Sequence, residues 1–148
     1  MSNARISMVT LGVDDLERSL KFYQALGWQD CNNSQESVKF LQGNNIVLGL
    51  YGRDALAKDT GADLGAEPGK AGFSGISLAV NLATEADVDA FYNRAIDAGA
   101  GAQKPPEKAF WGGYSSYFRD PDGHYWEVAH NPYFALDENG NLQLGAKT

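Results

Sequence analysis

Ile6-Ser7-Met8-Val9-Thr10-Leu11-Gly12-Val13 reappears 67 residues later (Ile6 to Phe73) as Phe73-Ser74-Gly75-Ile76-Ser77-Leu78-Ala79-Val80. Ser7/Ser74, Leu11/Leu78 and Val13/Val80 are identical, and both stretches carry the alternation and β-favouring residues of a strand. A helix start follows each one. After the first, Asp14-Asp15-Leu16-Glu17 reads as Asp14 capping with Glu17 in capping-box position. After the second, Thr84-Glu85-Ala86-Asp87 has the same form, and Val88, Phe91, Tyr92, Ala95 and Ile96 then fall on one helical face up to Gly99. A strand-then-helix signal repeated at fixed offset marks an internal duplication.

Outward from these anchors, the first copy continues with short strands at Trp28–Cys31, Ser37–Gln42 and Ile46–Tyr51, separated by the turns Asn32-Asn33-Ser34 and Gly43-Asn44-Asn45. The second continues with strands at about Ala102–Gln103, Tyr114–Arg119 and His124–His130. The last two are joined by Asp120-Pro121-Asp122-Gly123, where Pro121 presets φ and Gly123 accepts a left-handed position. The fold class is therefore α+β: two βαβββ modules, each with one face for its helix, whose free faces form a paired curved mixed sheet around a cleft. One domain of residues 1–148 is expected, with modules at 5–51 and 73–132, a Gly-rich linker at 52–72 with a helical turn around Asp54 to Lys58, and a polar tail at 133–148.

Composition removes several function classes. The 19 acidic and 12 basic residues give a net charge of −7, and no Lys/Arg stripe exists to neutralise phosphates, so no nucleic-acid partner is expected. No apolar run reaches membrane-spanning length and Met1 to Arg5 lacks a signal pattern, so no membrane partner is expected and the cytoplasm is the expected location. Cys31 is the single cysteine, which forbids an intrachain disulfide. Phosphate-binding glycine loops, a Gly-x-Ser-x-Gly elbow and a Cys/His zinc cluster are all missing.

Two segments carry a family likeness: Val13-Asp-Asp-Leu-Glu-Arg-Ser-Leu-Lys-Phe-Tyr-Gln-Ala-Leu-Gly-Trp28 and Trp111-Gly-Gly-Tyr-Ser-Ser-Tyr-Phe-Arg-Asp-Pro-Asp-Gly-His-Tyr-Trp-Glu-Val128. With them the chain, from Ile6 to about Pro132, resembles the vicinal oxygen chelate superfamily of glyoxalases, extradiol dioxygenases, fosfomycin-modifying enzymes and bleomycin-sequestering proteins. The resemblance implies one metal ligand on each of four strands, and it puts Met8, Leu48, Gly75 and Glu127 at those positions. One carboxylate among four is too few for a catalytic ion, which needs about three protein donors. His124 and His130 stand an even number of residues apart, on the face opposite Glu127. No metal and no cofactor are expected.

Alternation along the last strand puts Tyr125, Glu127 and Ala129 on the cleft face and Trp126 and Val128 toward the helix. A four-residue hairpin loop sets Phe118 opposite Tyr125 and Ser116 opposite Glu127. The expected small-molecule site is then Glu127, as general base or anchoring acceptor, with Ser116, Phe118, Tyr125, Met8, Leu48 and Leu50 around it and Trp111 at the mouth. Trp28 and Trp126 read as core. The function expected is binding of a small molecule without the family's divalent ion, of sequestering or resistance type. The competing reading is a metal-independent lyase or isomerase with Glu127 as base. Whether the chain is an enzyme stays open at this stage, and a homodimer is expected.

Overall fold

A computed structural model describes residues 4–62 and 73–144. The chain divides into two compact units, Met1–Ser74 and Gly75–Thr148. Each has the βαβββ order, and each contains one four-stranded mixed sheet.

In the first unit, β1 (Met8–Val13) runs parallel to β4 (Val47–Gly52), which pairs antiparallel with β3 (Val38–Gln42), itself paired with β2 (Gln29–Asp30). Helix α1 (Leu16–Ala25) starts at Asp15 rather than Asp14: the Asp15 carboxylate accepts from the Arg18 amide at 3.0 Å. Leu20, Phe22 and Tyr23 of α1 are buried with Leu11, Val13, Leu41, Leu48 and Leu50. Lys39, the cross-strand partner of Leu50, reaches Glu17 of α1 at 3.5 Å. That contact fixes which face α1 covers.

The helical turn expected around Asp54 to Lys58 is an eight-residue helix, α2 (Arg53–Thr60), ended by Gly61 at φ +77°. It packs over Gly12. A Cβ on Gly12 would stand 3.3 Å from the Arg53 Cα and 3.5 Å from Leu56 Cδ2. The rest of the expected linker, 63–72, lies outside the described residues.

In the second unit, β5 (Ser77–Asn81) is parallel to β8 (Tyr125–His130), followed outward by β7 (Tyr114–Arg119) and β6 (Gly101–Lys108). The strand expected at Ala102–Gln103 runs on through Pro105-Pro106, which an edge strand with register shifts accommodates. Helix α3 (Glu85–Asp97) is capped by Thr84, whose hydroxyl accepts from the Asp87 amide at 3.1 Å. Val88, Tyr92 and Ala95 of α3 are buried together with Phe118, Trp126 and Val128 of the sheet. Tyr114 donates to Asp89 at 2.7 Å and Lys108 pairs with Glu85, so residues in step with Tyr114 face the helix. The segment expected as a polar tail forms a small hairpin, β9 (Ala135–Leu136) with β10 (Leu142–Gln143).

Candidate functional site

The hairpin between β7 and β8 decides which side chains can serve a site. Gly123 donates to the Asp120 carbonyl at 3.0 Å and takes φ +88°, while the Asp120 amide donates to His124 C=O at 2.8 Å. This is a three-residue loop with a glycine bulge, not a four-residue loop. The Asp120 carboxylate, 3% exposed, holds it by accepting from the Asp122 and His124 amides, each at 2.9 Å.

One residue fewer in the loop shifts every pair by one and turns β7 over relative to the expectation. The observed partners are Arg119↔Tyr125, Phe118↔Trp126, Tyr117↔Glu127, Ser116↔Val128 and Ser115↔Ala129. Ser116 and Phe118 are therefore not beside Glu127; they belong to the helix-covered face, 1% and 0% exposed. Phe118 stacks on Trp126 at 6.2 Å between centroids, and the Ser116 hydroxyl is satisfied by the Val128 carbonyl at 3.0 Å.

Leu48 and Leu50 need the same correction. Both are buried on the α1 face, 2% and 0% exposed, with Leu41 and Leu11. Met8 lies on the other side of that sheet: its Sδ is 3.3 Å from where a Cβ on Gly49 would be, beside the Thr10 hydroxyl. The far face of the first sheet, away from α1, presents Met8, Val47 and Gln42, then Thr10, Gly49 and Phe40, then Gly12, Tyr51 and Val38. None of these is a carboxylate or an imidazole.

The far face of the second sheet is built differently. Reading across β5, β8, β7 and β6, one row is Asn81, Ala129, Ser115 and Glu107; the next is Ala79, Glu127, Tyr117 and Lys104; the third is Ser77, Tyr125, Arg119 and Gly101. Tyr125, Glu127 and Ala129 thus share the face on which alternation had put them. Tyr117, which sequence reasoning missed, stands directly opposite Glu127. Its pKa is raised, through burial first and then through the Glu127 carboxylate across the strand pair. Beside the pair on this face stand the small residues Ala79, Ala129 and Ser115 and the larger Tyr125, Arg119 and Lys104.

Arg119 turns outward over Gly101, where its Nη2 would lie 2.9 Å from an added Cβ, and donates weakly to Ala102 C=O at 3.5 Å. Trp111 lies over Gly113, whose added Cβ would sit 1.7 Å from the indole Cζ3. Gly113 immediately precedes β7, so the half-buried indole rests at the start of that strand.

A divalent ion of the kind the resemblance implies needs about three protein donors. On the two far faces the described strands offer Glu107 and Glu127, two strands apart and so about 10 Å from each other by strand spacing. His130 points to the helix side, its Nδ1 3.1 Å from the Leu82 carbonyl, and His124 belongs to the turn. Among the described residues no three His, Cys, Asp or Glu side chains come together. This donor set does not fit a tightly held transition metal.

Two βαβββ units, each a four-stranded mixed sheet with a helix on one face, define the class of fold. The chain belongs to the Glyoxalase/Bleomycin resistance protein/Dioxygenase superfamily, whose model matches residues 5–128. It is 27% identical over 127 residues to the metallothiol transferase FosB of Shouchella clausii, covering 83% of this chain and 77% of that protein. Among solved structures it is similar to a glyoxalase-related enzyme from Fulvimarina pelagi, with 31% identity, TM-score 0.82 and coverage of 96% and 99% of the two chains. A glyoxalase/bleomycin resistance protein/dioxygenase from Nocardioides has 26% identity and TM-score 0.72, with coverage of 98% and 92%. Among the described residues no helix is long and apolar enough to cross a membrane.

Proposed function

We propose that the chain binds a small organic molecule on the second sheet around Glu127, without the divalent ion that the name of its FosB relative implies. The observation carrying this reading is the Tyr117–Glu127 pair: a carboxylate directly across the strand pair from a phenol, with Ala79, Ala129 and Ser115 beside it. A polar anchor amid apolar and small neighbours is the usual make-up of a ligand site. The donor count supports the second clause, since among the described residues no three His, Cys, Asp or Glu side chains come together and β5, β8 and β7 bring one carboxylate to this place.

Metal analysis and native mass spectrometry of freshly purified protein test both clauses. An organic molecule retained by the native protein and lost from Glu127→Gln is the expected result. Stoichiometric zinc, nickel, manganese or iron overturns the reading.

A second reading is favoured by the relatives, one titled a transferase and one a glyoxalase-related enzyme. In it Glu127 takes a proton from an oxygenated substrate, as a lyase or isomerase requires, and Tyr117 positions the carboxylate. Turnover abolished in Glu127→Gln with ligand affinity retained selects this reading. Weaker binding and no turnover in either form selects the binder.

A further inference from the structure

We infer that the molecule held at Glu127 carries a protonated amine. This rests on the reading above and adds the chemical class of the ligand. Three observations on the second sheet support it, and the first is the hydrogen-bond capacity of the carboxylate. An ionised carboxylate offers about four lone-pair sites and no donor. Its partner across the strand pair is the phenol Tyr117, which carries no charge to offset it, so the carboxylate calls for a donor and repels an anion.

The second observation concerns countercharge. The ion pairs Lys39–Glu17 and Lys108–Glu85 both lie away from Glu127. Of the two basic residues on its own face, Arg119 is directed elsewhere and Lys104 stands one strand further out. Arg119 lies over Gly101 and bonds Ala102 C=O, and Lys104 stands on β6 with the Tyr117 position between it and β8. On the other side β5 presents Ser77, Ala79 and Asn81, none of them charged. The sheet thus sets no cation directly across from this carboxylate on β5 or β7.

Third, the aromatic residues are placed for a cation. Tyr117 is directly across from Glu127, and Tyr125 is two residues along the same strand on the same face, about 7 Å away by strand rise. Tyrosine ring faces attract ammonium groups within about 6 Å of the centroid. An ammonium bonded to Glu127 has Tyr117 across the strand pair and Tyr125 next along the same face, and an apolar body attached to it has Ala79 and Ala129 beside it.

The test is titration of the full chain with three probes of one size, benzylamine, benzyl alcohol and benzoate, followed by NMR of the Tyr117, Tyr125 and Ala129 resonances. Benzylamine is expected to shift these signals saturably, with affinity about ten-fold or more weaker in Glu127→Gln, in keeping with a charge-assisted hydrogen bond. Tyr117→Phe weakens it less, since the carboxylate survives. Benzyl alcohol binding as tightly as benzylamine, or a Glu127→Gln variant binding benzylamine unchanged, overturns the amine assignment while leaving small-molecule binding at this face intact. If none of the three probes shifts these resonances and freshly purified protein carries no organic molecule, the binding reading falls as well.

Discussion

Replacing Phe118 by alanine, and separately Tyr117 by alanine, puts the observed β7–β8 register to a quantitative test. Phe118 is 0% exposed and stacked on Trp126 with the rings within 3° of parallel. Burial of a phenylalanine removes roughly 150–250 Å² from water, worth about 4–6 kcal/mol at ~25 cal/mol per Å² as an upper bound. Measured truncations of this kind cost about 3–5 kcal/mol. For a chain of this size that lowers Tm by about 6–20 °C.

Tyr117 lies on the far face and is only half-buried. Its truncation forfeits part of its ring contact, about 1–2 kcal/mol. Urea unfolding followed by circular dichroism reads both variants, with the slope of each transition checked so that midpoints are comparable. The four-residue loop would reverse the order, exposing Phe118 and burying Tyr117. Tyr117→Ala proving the more destabilising of the two refutes the register and every side-chain placement derived from it.

The Tyr117 phenol titrates above 10, and Glu127→Gln is expected to bring it down part of the way, since the burial contribution remains; absorbance at 295 nm against a Tyr117→Phe control measures this. Because the folded value is the higher one, the contribution of Tyr117 to stability is complete below pH 10 and disappears as pH climbs through the folded value. Asp137 shows the opposite sign. Amides of Asn141 and Asn139 hold its carboxyl below the ordinary 3.8, so the β9–β10 turn is stabilised above that pH and loosens as acid takes the carboxylate through its folded value, visible as faster exchange of those two amides. Thr84→Ala removes the α3 cap and is expected to cost about 1 kcal/mol, read as a lower urea midpoint. Gly12→Val drives a side chain against the Arg53 backbone; proteolysis near α2 should accelerate, and unchanged cleavage would contradict the packing of that helix on β1.

Much of the architecture was legible because it rests on local signals. The strand-then-helix repeat, the helix start at Thr84 and the alternation of Tyr125, Glu127 and Ala129 all depend on near neighbours, and the structure has each of them, although the two strands begin at Met8 and Ser77 rather than at Ile6 and Phe73. What failed depended on pairing between strands. Assigning Ser116 and Phe118 to the site required a loop length, and a miscount of one turns the whole strand over. The signal was present: glycine directly after Asp-Pro-Asp favours a left-handed bulge and hence a three-residue loop. Leu48 and Leu50 were taken for site residues through alignment to a family position, although two leucines flanking Gly49 are better read as one buried face. Tyr117 went unnoticed for the same reason as Phe118 was chosen. The cap at Asp15 in place of Asp14 is an ordinary one-residue ambiguity at a helix end.

Asp120-Pro-Asp-Gly-His124 and Asp137-Glu-Asn-Gly-Asn141 are clamped alike: in each, the first carboxylate accepts from the third and fifth amides and the glycine is left-handed. Surface loops ordinarily absorb insertions and deletions freely. The first of these two does not have that latitude, because gaining or losing a single residue there would exchange Tyr117 with Phe118 between solvent-side chemistry and hydrophobic interior. Lineages descending from this chain can therefore retune ligand preference by point substitution on β7 and β8, while length variation at that corner is closed to them unless it comes in twos.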